Sequence, residues 1–141
     1  MPARPTFVAI VLFPFAAMAA DPDFVRDVRP LFEKHCYACH SGESPKSGLR
    51  LDVKAAAFGG GDAWGAAIVP GSSDESPLVR FARGDEPRMR MPPPESDVPP
   101  LAQADLERLV AWVDAGAIWP DGVDLASLVD RSDHWAFRPV L

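Results

Sequence analysis

A chain of 141 residues with a formal net charge of −6 is sized for a single domain around one hydrophobic core. Its acidic balance argues against nucleic acid as a partner, because phosphate contacts need clustered Lys and Arg; basic proteins or small cations are the expected charged partners. Only two cysteines occur, Cys36 and Cys39, and a disulfide across so short a loop would contribute little through chain entropy, so the pair is expected to have another use.

Residues 1–20 read as a secretory signal peptide. Arg4 is their one charged side chain, an apolar run spans Phe7 to Phe13, and Ala17-Met18-Ala19 forms a small-x-small cleavage site before Asp21. A spanning helix needs about 20 apolar residues, and Pro14 interrupts a run that is already shorter, so no stable membrane anchor is expected once the peptide is cleaved. The expected location is therefore exported, periplasmic or extracytoplasmic. Without Arg4 the charge moves from −6 to −7.

Asp21-Pro22 suggests a helix cap with proline in the first turn. Phe24, Val25, Val28, Leu31 and Phe32 follow at helical spacing, with Pro30 expected to kink or restart the helix that leads to Cys36. Residues 41–48 read as a loop. A short helix is expected from Asp52 to about Phe58, stopped by Gly59-Gly60-Gly61, and another from Ser76-Pro77 to Gly84. Residues 85–100 carry prolines at 92, 93, 94, 99 and 100, which exclude regular structure and make a stiff strap around Met89 and Met91. The last helix covers Gln103 to Ala115, with Leu106, Leu109, Val110 and Val113 as its buried stripe, Trp112 at the stripe's edge and Gly116 as its left-handed stop. No alternating strand pattern of useful length appears, so the class is all-α. The domain is expected over 21–120, with 121–141 a tail or linker.

Cys36-Tyr37-Ala38-Cys39-His40 carries the chemistry. Two thiols at i and i+3 can both reach the vinyl edge of a porphyrin, and the adjacent imidazole can turn onto the iron; Cys-x-x-Cys-His is the attachment signature of c-type haem. Three other readings compete. A thioredoxin-like pair needs a strand leading in, where a helical pattern is found. A structural zinc site needs four ligands, which His35, His40 and distant His134 supply only on paper. A plain disulfide is the third. His35 is expected to be a surface residue, pointing away from the iron that His40 faces.

A second axial ligand from the opposite face is expected to be methionine. Met91, 51 positions after His40 and followed by Pro92-Pro93-Pro94, is the choice, with Met89 as runner-up. Arg50, Arg90, Arg88 and the indole N–H of Trp64 are candidate contacts for the haem propionates. The second nitrogen of His40 needs an acceptor, sought in the carbonyls between Gly48 and Arg50 or at Pro70.

Taken together, these strings resemble the planctomycete-type cytochrome c domain: Val28-Arg29-Pro30-Leu31 before the Cys-x-x-Cys-His motif, Gly48-Leu49-Arg50-Leu51-Asp52, Gly59-Gly60, Ile68-Val69-Pro70-Gly71, Ser76-Pro77-Leu78, Met91-Pro92-Pro93 and Trp112-Val113-Asp114-Ala115-Gly116-Ala117. The likeness covers about residues 24–120. It implies an N-terminal haem module of a large exported protein, with Ser132-Asp133-His134-Trp135-Ala136-Phe137-Arg138-Pro139 resembling the junction to a further domain; the chain is expected to be such a module cut from its C-terminal partner. Ala102 stands where a capping hydroxyl would be preferred, at a cost of about 1 kcal/mol.

The expectation is an exported single-haem domain that carries or relays one electron to a redox partner or a downstream domain, with no catalytic residues of its own. The alternatives are an interaction module stapled by its haem and a five-coordinate haem enzyme or sensor.

Overall fold

The computed structural model describes residues 20–125 with the exception of Pro87. The expected signal peptide up to Ala19, the expected tail from residue 126 onward and His134 therefore lie outside the described residues. The described chain is helical and forms no β-strand; an isolated bridge between Gly61 and Gly65 is the nearest approach to one. No described helix is long and apolar enough to cross a membrane.

The first apolar run is broken in two, as Pro30 requires. A π-helical turn, Phe24–Val28, passes into α1, Arg29–His35, which starts again with Pro30 in its first turn. Proline has no N–H to give to the preceding ladder, and the first turn is where that loss is harmless. The cap differs from expectation by two residues. Asp23, not Asp21, accepts the Arg26 N–H at 2.8 Å, while the Asp27 carboxylate accepts the Asp23 N–H at 2.8 Å. That reciprocal pair satisfies two donors at once, which Asp21 has no partner to do.

The later helices follow the glycine and proline signals. They are α2, Lys54–Gly59, capped by Gly60 at φ 86°; α3, Pro77–Arg83, capped by left-handed Gly84; and α4, Gln103–Asp114. Ala102 is the N-cap of α4 and offers it no side-chain bond.

The core lies between the N-terminal helical segment and α4. Phe24 stacks on Trp119 with ring centroids 3.7 Å apart, and Phe24, Phe32 and Trp112 meet at 5.7–6.2 Å. Such offset and edge contacts add to plain area burial. Trp112 corrects the expectation that it sits at the stripe's edge: it is 1% exposed, and its indole N–H reaches the Ile118 carbonyl at 3.1 Å. The aromatic surface of Phe24 brings it to the centre. Beyond Pro120 the chain continues to pack, with the Leu125 N–H on the Asp52 carbonyl and the Lys54 N–H on the Asp124 carboxylate.

Candidate haem site

Helix α1 ends at Cys36, whose N–H still reaches the Phe32 carbonyl at 2.8 Å. One further turn follows, closed by the His40 N–H on the Cys36 carbonyl at 2.9 Å. The Cys-x-x-Cys-His string is thus a turn extending the helix, and it puts both thiols on the same wall as His40. The chain then loops back: the Lys46 N–H bonds to the Cys39 carbonyl and the Leu51 N–H to the His40 carbonyl, each at 2.8 Å.

Cys36, Cys39, His40, Met89 and Met91 all line one cavity of about 1380 Å³, its open mouth included. Leu31, Phe32, Leu49, Leu51 and Leu109 form its apolar floor, and Leu78, Phe81 and Ala82 of α3 form one side. Helix α3 is apolar on two faces, with Val79 buried in the core and the other three half-buried toward the cavity. The strap supplies Pro92, Pro93, Val98 and Leu101 as the facing wall. Met91 enters the strap through its N–H bond to the Phe81 carbonyl at 2.9 Å, and its bond to Pro92 is cis.

The lip of the cavity is made by two loops pressed together. A Cβ on Gly60 would fall 1.4 Å from the Gly65 carbonyl oxygen, and one on Gly61 would fall 2.4 Å from that of Ser47. Lys46, Ser47, Asp62 and Trp64 reach the cavity from this lip. Glycine is the residue that permits such approach.

Electrostatics at the attachment turn favour the uncharged forms of its side chains. Burial, with a smaller contribution from Cys39, pushes the Cys36 thiol up to about 12. Burial also lowers the His40 imidazole below its ordinary value, against a weaker pull from the Leu49 and Lys46 backbone. The neutral ring is the form a metal takes. Despite those nearby backbone groups, His40 Nδ1 is buried and meets no acceptor at hydrogen-bond geometry, neither between Gly48 and Arg50 nor at Pro70.

The structure sorts the expected propionate contacts. Trp64 stands at the rim, 49% exposed, with Phe81 edge-on at 5.2 Å. Arg50 is away from the cavity, held by both carboxylate oxygens of Asp52 at 3.0 and 2.7 Å. Arg90 is exposed, its stem lying over Gly84, and Arg88 is exposed as well; neither lines the cavity. Lys46 on the lip was not singled out from sequence, where a lysine in a polar loop carries no distinguishing signal.

His35 departs most from expectation. It is 5% exposed and lines the cavity, with Nδ1 2.7 Å from the Pro99 carbonyl oxygen. The surface reading followed from its placement beside Cys36; its burial comes from a strap 64 residues downstream, which local spacing does not reveal. Among the described residues no three His, Cys, Asp or Glu side chains gather as a bare metal site.

A helical domain whose Cys-x-x-Cys-His turn opens onto an apolar cavity faced by methionines defines the cytochrome c class. Residues 36–95 match the family model described as Planctomycete cytochrome C, in support of the resemblance read from the sequence. No curated protein and no solved structure matches the chain. Haem binding and electron transfer come with the family at that general level.

Proposed function

We propose that this chain is an exported module that holds one c-type haem and passes single electrons to a redox partner or an adjoining domain. Cys36 and Cys39 would hold the haem through thioether bonds, and His40 and Met91 would ligate its iron. One observation carries the reading: side chains from two stretches 51 positions apart, His40 on the turn that follows α1 and Met91 on the proline strap, line the same cavity as both thiols.

The haem supplies reversible one-electron chemistry at its iron. The protein's share is fixation and environment. The turn 36–40 sets the two sulfurs and the imidazole on one rigid element. The thioether of Met91 is a soft, uncharged ligand that raises the potential and takes up no proton. The apolar walls would exclude water and lower the local dielectric, and Lys46 and Trp64, which line the cavity at its lip, would serve as donors to propionates. Its acidic surface favours a basic partner.

Paired variants test the assignment in protein produced with a cytochrome c maturation system. Met91→Ala is expected to keep covalent haem and lose the six-coordinate low-spin spectrum, while Met89→Ala keeps both. The opposite result moves the ligand to Met89, and loss in neither variant removes methionine from the iron.

A further inference from the structure

The strap that carries Met91 is poorly fastened by its own backbone. Five of its residues, Pro92, Pro93, Pro94, Pro99 and Pro100, have no N–H to donate. Among the described residues, two hydrogen bonds join residues 91–101 to the rest of the chain: the Met91 N–H on the Phe81 carbonyl at one end, and His35 on the Pro99 carbonyl at the other. A carbonyl oxygen only accepts, so His35 Nδ1 carries the proton. The neutral ring then has its lone pair on Nε2, which is buried and has no partner. With Nδ1 on the strap and the ring itself in the cavity wall, His35 stands between the two.

We infer that His35 is the positioning residue that holds the Met91 strap closed over the haem cavity. It is the last residue of α1, directly before Cys36, so the bond to Pro99 ties the ligand strap to the very element that anchors the cofactor. The Met91 end is held independently by Phe81, and the two bonds bracket the strap. Releasing the far end leaves the thioether with freedom to swing away, so competing ligands reach the iron more easily. This inference rests on Met91 being an axial ligand.

The test uses the full-length holoprotein and two variants. Asparagine places an amide donor near the position of imidazole Nδ1, so His35→Asn keeps the clasp; His35→Leu fills the space without a donor. Ferric protein is titrated with imidazole, following loss of the methionine sulfur-to-iron charge-transfer band. His35→Leu is expected to bind imidazole about tenfold more tightly than the parent, the scale of one lost buried hydrogen bond. His35→Asn should stay within about twofold of the parent by the same reasoning. Equal affinities in parent and His35→Leu, with the band present in both, overturn the clasp alone. A parent without the band overturns Met91 ligation and the clasp with it. Should His35→Leu fail to accumulate, nitrogen NMR of the ferrous parent decides: the Nδ1–H tautomer with a slowly exchanging ring proton supports the clasp, and the Nε2–H tautomer refutes it.

Discussion

The two sides of this small domain are built on different principles. Between α1 and α4, Phe24, Phe32, Trp112 and Trp119 pack ring against ring and are at most 3% exposed. Across the cavity, residues 88–101 form no helix, and among the described residues two hydrogen bonds join the proline-rich stretch 91–101 to the rest of the chain. The first side draws its stability from contacts the chain makes with itself. On the proposed reading the second is shaped around a haem, which would supply dispersion contacts to its apolar lining. The proposed electron carrier would be well served by that division: a firm wall would fix the attachment turn, and a separate strap would present Met91.

Removing the haem anchors should separate the two sides most strongly. Cys36→Ala combined with Cys39→Ala is expected to abolish haem that survives denaturing electrophoresis and to yield little folded protein, since the cavity walls then lose their cofactor contacts. Recovery of a compact, protease-resistant double variant would contradict this. Trp112→Ala tests the self-packed side, with an expected loss of about 3–5 kcal/mol in urea unfolding of the holoprotein. Val98→Ala, on the half-buried strap wall, should cost about 1 kcal/mol in the same assay. Similar costs for the two would erase the contrast.

A smaller effect is expected at Asp52, which joins three loops through Arg50, the Gly42 N–H and the Leu125 N–H. Burial alone would raise its carboxyl, but Arg50 and the Gly42 N–H outweigh burial and hold it below its ordinary 3.8. A depressed carboxylate contributes stability that is complete above the unfolded value and lost as pH falls through the folded one. Asp52→Asn should therefore cost about 2 kcal/mol near neutral pH, with the difference from the parent shrinking below pH 3.8. A pH-independent difference would assign the cost to something other than the charge. The smallest effect is a gain: Ala102→Ser supplies the missing cap of α4 and should add about 1 kcal/mol by urea unfolding.

Much of this was readable in advance because the signals are local. Gly60, Gly84 and Gly116 end their segments at positive φ, and Pro30 divides the first apolar run. The attachment string is a contiguous five-residue pattern with its own chemistry. What escaped sequence reasoning depends on partners far along the chain. Asp21 and Asp23 are equivalent as caps until Asp27 is seen to answer Asp23. Trp112 became core because Phe24 lies against it, and His35 because Pro99 does. Arg50 had its own acid two residues away, and a close pairing with Asp52 removes it from the cavity. The second apolar face of α3 was present in the spacing of Leu78, Phe81 and Ala82, and is the clearest signal that the helix borders something besides the core.

The central claim is a single haem gripped between residues 40 and 91. Intact mass and visible spectroscopy of the exported protein, made alongside a cytochrome c maturation system, address it together. The account predicts a mass raised by one haem and a six-coordinate low-spin spectrum with sulfur ligation in the ferric state. A polypeptide mass without haem, or attached haem whose iron lacks the sulfur ligand in the unaltered chain, would contradict it.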